Sequence, residues 1–125
     1  MNVKQVDEKE KIKLFKLSNE AFKQYWSTTK GNYDISKELA IKKLTRNILL
    51  AKEVKLRDKL DRLFAKRMFQ YGNLTIITQW NRIIEVKNHT GGRKYGNWHF
   101  DKEKYIRLSE QLGIMDHKFA HERAL

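Results

Sequence analysis

The sequence predicts an α+β fold with N-terminal helices, a small antiparallel hairpin or three-stranded sheet, and C-terminal helices. Three observations predict it. Apolar residues recur at intervals of three and four up to Phe69; LTIITQWNRIIEVK at 74–87 is dense in Ile, Val and Thr; Asp101 and Gly113 bracket a helical stretch.

The first helix is expected over residues 5–28, where Leu14, Leu17, Ala21 and Tyr25 recur on one side and lysines mostly occupy the others. STTKGNYDIS reads as a loop ending in an N-cap, so a second helix starts near Ile35. From Ile35 to Phe69 there is no glycine or proline, and Leu39, Leu44, Ile48, Leu56, Leu60, Leu63 and Met68 keep a helical rhythm. One long helix, or two with a break near Asn47, fits that pattern. Residues 74–87 then read as a hairpin turning at Trp80-Asn81, with Ile77 opposite Ile84 and Thr75 opposite Val86. A second turn at HTGG leads toward a third strand at 95–100. Asp101 caps DKEKYIRLSEQLG, Gly113 ends it in the left-handed conformation, and a short helix runs from Asp116 to Arg123. A single domain over 1–125 is expected, with a helical part at 1–70, a hairpin part at 71–100 and C-terminal helices at 101–125.

Composition narrows the function. There is no cysteine, so disulfides, thiolate metal sites and cysteine nucleophiles are absent together. No apolar run approaches a bilayer span, and MNVKQVDEKEK lacks the apolar core of a secretion signal. A cytoplasmic protein without a membrane partner is the expectation. The charge balance speaks most strongly, with 27 Lys and Arg against 15 Asp and Glu for a net charge of +12. Such an excess concerns partners more than fold, and the commonest polyanionic partner is nucleic acid, DNA ahead of RNA. Solvation, an anionic membrane and lysine-rich codon usage are the bland alternatives.

The candidate contacts form two groups. On a helix over 51–69, Lys52, Lys55, Lys59, Arg62 and Lys66 fall within a sector of roughly 80° that contains no acid, a spacing suited to successive phosphates. Arg82, Lys87, Arg93 and Lys94 lie on the hairpin and its glycine turn beside Tyr71, Trp80, Tyr95, Trp98 and Phe100, the mixture of cations and rings that suits phosphates and exposed bases. The structural alternative makes the stripe a solvated helix face, and the aromatics, Trp98 and Phe100 above all, a cover for a short sheet. Ser109, Leu112-Gly113-Ile114 and Phe119 resemble the centre of a helix-turn-helix or winged element, with His117, Lys118, His121 and Arg123 on the recognition helix. That segment is charge-neutral and short.

His117 and His121 stand i,i+4 without a third ligand nearby, and HTGGRK lacks the strand–GxxxxGK–helix context of a nucleotide loop, so no metal site and no cofactor is expected. The reading is a non-enzymatic nucleic-acid-binding protein, monomer or homodimer, of the regulatory or accessory sort that mobile genetic elements encode. Two rivals stand beside it. One docks the basic face on an acidic protein as an inhibitor or adaptor; the other is a small ribonuclease using His89 or His99.

Overall fold

The computed structural model describes residues 12–29, 33–89 and 100–115, together with His117 and Phe119. Along the chain run β1 (Lys16–Leu17), α1 (Asn19–Thr28), α2 (Lys37–Leu50), β2 (Lys52–Val54), α3 (Lys59–Leu63), β3 (Lys66–Tyr71), β4 (Leu74–Gln79), β5 (Arg82–Asn88) and α4 (Lys102–Gln111). The strands form one mixed sheet in the order β1-β5-β4-β3-β2. β1 lies parallel to β5, and the other neighbours are antiparallel. The fold is therefore mixed α+β, with a larger sheet than the sequence suggests.

The first helix is shorter than its periodicity implies. Ser18 caps it by accepting a hydrogen bond from the Ala21 amide at 3.1 Å, and Ala21 and Tyr25 turn inward one helical turn apart. Residues 12–17 are not helical, and Lys16 and Leu17 are in a strand. Their backbone groups find partners elsewhere, Lys16 N donating to Asn81 O at 2.9 Å, Ser18 N to Ile83 O at 3.0 Å and Phe15 N to the Thr45 hydroxyl at 3.1 Å. These long-range bonds satisfy the donors that a helix would have satisfied locally, so Leu17 enters the core from a strand.

In α2, Ser36 is the cap, accepting from the Leu39 amide at 3.1 Å, and Ala40, Leu44 and Ile48 face the sheet at intervals of four. The expected continuation of this helix to Phe69 does not occur. Residues 52–54 pair with β3, Lys52 opposite Gln70, Glu53 opposite Phe69 and Val54 opposite Met68. Asp58 starts only the short α3, its carboxylate accepting from the Leu60 amide at 2.8 Å. Ala65 then takes φ 62° and the chain turns into β3. Strand pairing outweighs helix propensity here, because each of these segments gains a ladder against β3 or β4. The part expected to be helical thus contributes β1, β2 and most of β3.

Two tight hairpins follow. Gly72-Asn73 joins β3 to β4, with Tyr71 opposite Leu74 and Gly72 at φ 56°. Trp80-Asn81 joins β4 to β5 with φ 47° and 66°, the sign pattern of a type I′ turn. The expected register holds only next to that turn, at Gln79–Arg82 and Thr78–Ile83. A bulge then shifts it, so that Ile77 faces Glu85 and Thr75 faces Lys87 instead of Ile84 and Val86. The bulge accommodates consecutive Ile83 and Ile84, keeping Ile83 and Val86 both buried on the helix side.

The core lies between the sheet and α1–α2, built from Leu17, Ala21, Tyr25, Ala40, Leu44 and Ile48 against Phe69, Leu74, Ile76, Ile83 and Val86. α4 begins at Asp101 as expected, its carboxylate accepting from the Lys104 amide at 3.1 Å, and packs on α2. It ends in a Schellman closure: Ile114 N bonds Ser109 O at 2.8 Å, Gly113 N bonds Glu110 O at 3.1 Å, and Gly113 has φ 74°. Ser109, Leu112 and Ile114, read from sequence as the centre of a helix-turn-helix, are buried by this closure. His117 and Phe119 are not helical, and the rest of the expected recognition helix lies outside the described residues. The same holds for residues 90–99, hence for the HTGG turn and most of the expected third strand. Phe100 is not in a strand and stacks on Tyr105 at 5.4 Å.

Candidate nucleic-acid interface

Antiparallel partners directly opposite one another share a face of the sheet, so the register sorts the strand residues into two sets. Phe69, Tyr71, Leu74, Ile76, Ile83 and Val86 point toward the helices. The opposite face carries three cross-strand rows: Lys52–Gln70–Thr75–Lys87, Val54–Met68–Ile77–Glu85, and Lys66–Gln79–Arg82. Cations therefore stand at the corners, with amides, a hydroxyl, apolar side chains and the Glu85 carboxylate between them. At ~4.8 Å between strands and ~3.3 Å per residue the face measures about 14 by 13 Å. Among the described residues the hydrophobic cluster lies wholly on the helix side.

The helical stripe does not exist as a stripe. Lys52 sits on β2, Lys55 in the following connection, Lys59 and Arg62 on α3, and Lys66 on β3. What joins these residues is the sheet, which brings Lys52 and Lys66 onto one surface with Arg82 and Lys87. Lys55, Lys59 and Arg62 are exposed beyond its β2–α3 border. Arg93 and Lys94 lie outside the described residues. Lys66 meets Asp61 at 3.5 Å and Lys87 meets Glu85 at 3.1 Å, exposed pairs that water and salt screen.

Polar residues that the charge-based reading missed, Gln70 and Thr75, lie buried between the cations of this face. The Thr75 hydroxyl donates to Gln70 Oε1 at 2.6 Å and lies 2.9 Å from His89 Nε2, while Gln70 Nε2 donates to Gly72 O at 3.0 Å. This chain fixes the Gln70 amide and orients His89 beside Lys87. Strand alternation in KRMFQY was the signal that could have found Gln70; it was masked by the helical rhythm of the preceding leucines. His89 is hydrogen-bonded into the face through Thr75.

Other expected contacts are structural. Tyr71 faces the helices, where burial raises its phenol above the ordinary value and the nearby Arg46 charge opposes that only in part. Arg46 itself is 5% exposed; it donates to the Ser109 hydroxyl at 3.1 Å and to Asn47 Oδ1 at 3.2 Å, with its guanidinium 4.3 Å from the centre of the Tyr105 ring. Phe100 and Phe119 pack around Tyr105. Not every cation faces a partner: Arg46 holds α2 to α4.

The matches to known proteins cover this architecture. The YorE family pattern matches residues 15–111, from β1 to the last residue of α4. The chain belongs to the YorE family. It is 34% identical over 110 residues to the SPbeta prophage-derived uncharacterized protein YorE of Bacillus subtilis (strain 168), covering 86% of this chain and 89% of that one. No solved structure matches it. A prophage-derived member is consistent with an origin in mobile elements, and the family match spans every described strand and helix, the cation-bearing face included. No helix among the described residues is long and apolar enough to cross a membrane.

Proposed function

We propose that this YorE-family chain is a small non-enzymatic nucleic-acid-binding protein, a regulatory or accessory factor of a mobile genetic element, with DNA ahead of RNA as its partner. One observation carries the reading: Lys52, Lys66, Arg82 and Lys87 share the sheet face opposite the hydrophobic cluster, in rows set by strand register. Rigid strands hold these charges at fixed separations, and at ~3.4 Å per nucleotide along one strand the face spans about four phosphates. Lys55, Lys59, Arg62, Arg93 and Lys94 extend the contact in this proposal. A net charge of +12 draws the polyanion from a distance.

The test is a retention assay across salt concentrations with wild type and the Lys52→Glu, Arg82→Glu, Lys87→Glu triple variant. Wild type is expected to bind at low salt with a steep dependence, and the variant to lose about 0.9 from the log–log slope for each phosphate contact removed on duplex DNA. Equal binding by a folded variant would reject this face. Failure of wild type to retain any nucleic acid at low salt would reject the function and leave the acidic-protein partner in its place.

A further inference from the structure

One end of the same face bears side chains that the fold does not use. Trp80 is 67% exposed, Phe64 50%, Leu60 62% and Leu63 75%. They belong to two elements held together, because Gln79, next to Trp80, donates its side-chain amide to Phe64 O at 3.1 Å. Lys66 and Arg82 are paired with Gln79 across β3–β5, and Lys59 and Arg62 stand on α3. A shallow cleft lined by Lys13, Leu14, Phe15 and Asn81 opens on the β1 side of the turn.

Trp80 is the decisive residue. It holds φ 47° at the first position of a type I′ turn, where asparagine and glycine are favoured and a bulky side chain is strained. Its side chain stays two-thirds exposed, so burial compensates little. A residue that costs the turn something and contributes nothing to the core is explained by a contact outside the molecule. The adjoining cations select the contact's charge: another copy of this chain would bring its own +12, whereas a polyanion is attracted. A duplex keeps the faces of its bases stacked inside, and only unpaired bases offer a ring face to an aromatic side chain.

We infer that the chain takes single-stranded nucleic acid, with bases stacked on Trp80 and Phe64 at the hairpin end and the backbone led across Lys66, Arg82 and the sheet face. This rests on the nucleic-acid reading above and adds the strandedness of the ligand. Leu60 and Leu63 supply apolar surface beside the stacked bases, as a bare phosphate track would not require.

The experiment uses full-length protein carrying Trp26→Phe and Trp98→Phe, so that Trp80 is the only tryptophan, titrated with an oligo(dT) and with a mixed-sequence duplex of equal length. Oligo(dT) is expected to quench Trp80 fluorescence and the duplex to quench it little. In the otherwise wild-type chain, Trp80→Asn is expected to weaken oligo(dT) binding on the order of tenfold, the usual worth of one base–aromatic stack, and to leave duplex binding nearly unchanged. Because asparagine suits the turn better, Trp80→Asn should hold or raise the Tm; a lowered Tm would show that Trp80 serves the fold and would overturn the inference. Equal affinity of wild type for both ligands, unaltered by Trp80→Asn but lost in the triple charge reversal, would overturn strandedness and leave the nucleic-acid reading standing. Binding of neither ligand at low salt would overturn both and assign this end to an acidic protein.

Discussion

The two faces of the sheet come from the same three long strands, yet they differ in every property that matters to a partner. Toward α1 and α2, Ile76 and Ile83 are completely buried and Phe69 and Val86 nearly so. Away from them, Lys52, Arg82 and Lys87 are exposed, Gln79 is half-buried, and Gln70 and Thr75 between Lys52 and Lys87 are buried and bonded to each other. The period-two alternation of β-strands separates the residues that build the hydrophobic core from the exposed cations. Stability and ligand affinity should therefore respond to different substitutions a single position apart.

The largest effect belongs to the helix side. Ile76→Ala removes a fully buried side chain opposite Phe69 and Val86, and is expected to cost about 2–5 kcal/mol in urea unfolding, cavity included. The triple reversal on the other face should move the same measurement by about 0.5 kcal/mol per site at most. A comparable loss from both would break the distinction between the faces.

Next comes the charge on the buried side. Ser109→Ala deprives the Arg46 guanidinium of an acceptor at 3.1 Å in a place water does not reach, and should cost about 1–3 kcal/mol. Nucleic-acid binding should be unchanged, since Arg46 is assigned to the α2–α4 joint. A loss of binding with little loss of stability would move Arg46 into the interface and blur the comparison.

Tyr71 provides a pH readout of the covered face. Its phenol is raised by burial above an ordinary value of 10.0, so the folded chain holds the proton more tightly than the unfolded one. The associated stability is intact below pH 10 and falls as pH climbs toward the folded value, at up to about 1.4 kcal/mol per pH unit. Tyr71→Phe should flatten this alkaline decline in thermal unfolding. An unchanged profile would show that other groups cause it.

Legibility followed the range of the forces involved. Asp101 and Gly113 announced α4 because capping and left-handed closure are local, and Trp80-Asn81 marked a turn between β-rich runs. β1, β2 and β3 were hidden, since KL, KEV and KRMFQY become strands only through partners distant in sequence. The candidate site shows the same division. Lys52, Lys66, Arg82 and Lys87 were all singled out for charge, but their common surface could not be read before β2 and β3 were known. The apparent helical stripe arose because spacings of three and four also place residues across a β–loop–α–β segment that happens to be rich in lysine.

The smallest expected effect tests the sheet's edge, where the two faces meet. Arg67 and Glu53 form a bidentate pair, Nε to Oε2 at 2.9 Å and Nη2 to Oε1 at 2.6 Å, between β3 and β2. The hydrogen bond from Arg67 lowers the Glu53 carboxyl below its ordinary 4.5, with desolvation opposing it. A lowered folded-state value means that the contribution is present above pH 4.5 and is lost as pH falls through the folded value. Both side chains are about half exposed, so water competes for each of them. A double-mutant cycle with Glu53→Gln and Arg67→Met at neutral pH should therefore give a coupling below about 1 kcal/mol, vanishing in strong acid. If the coupling were several-fold larger, β2 would be held by this ion pair more than by its backbone ladder. Position Lys52, and with it one corner of the open face, would then loosen on acidification, and binding at low pH would weaken through geometry before any ligand group titrated.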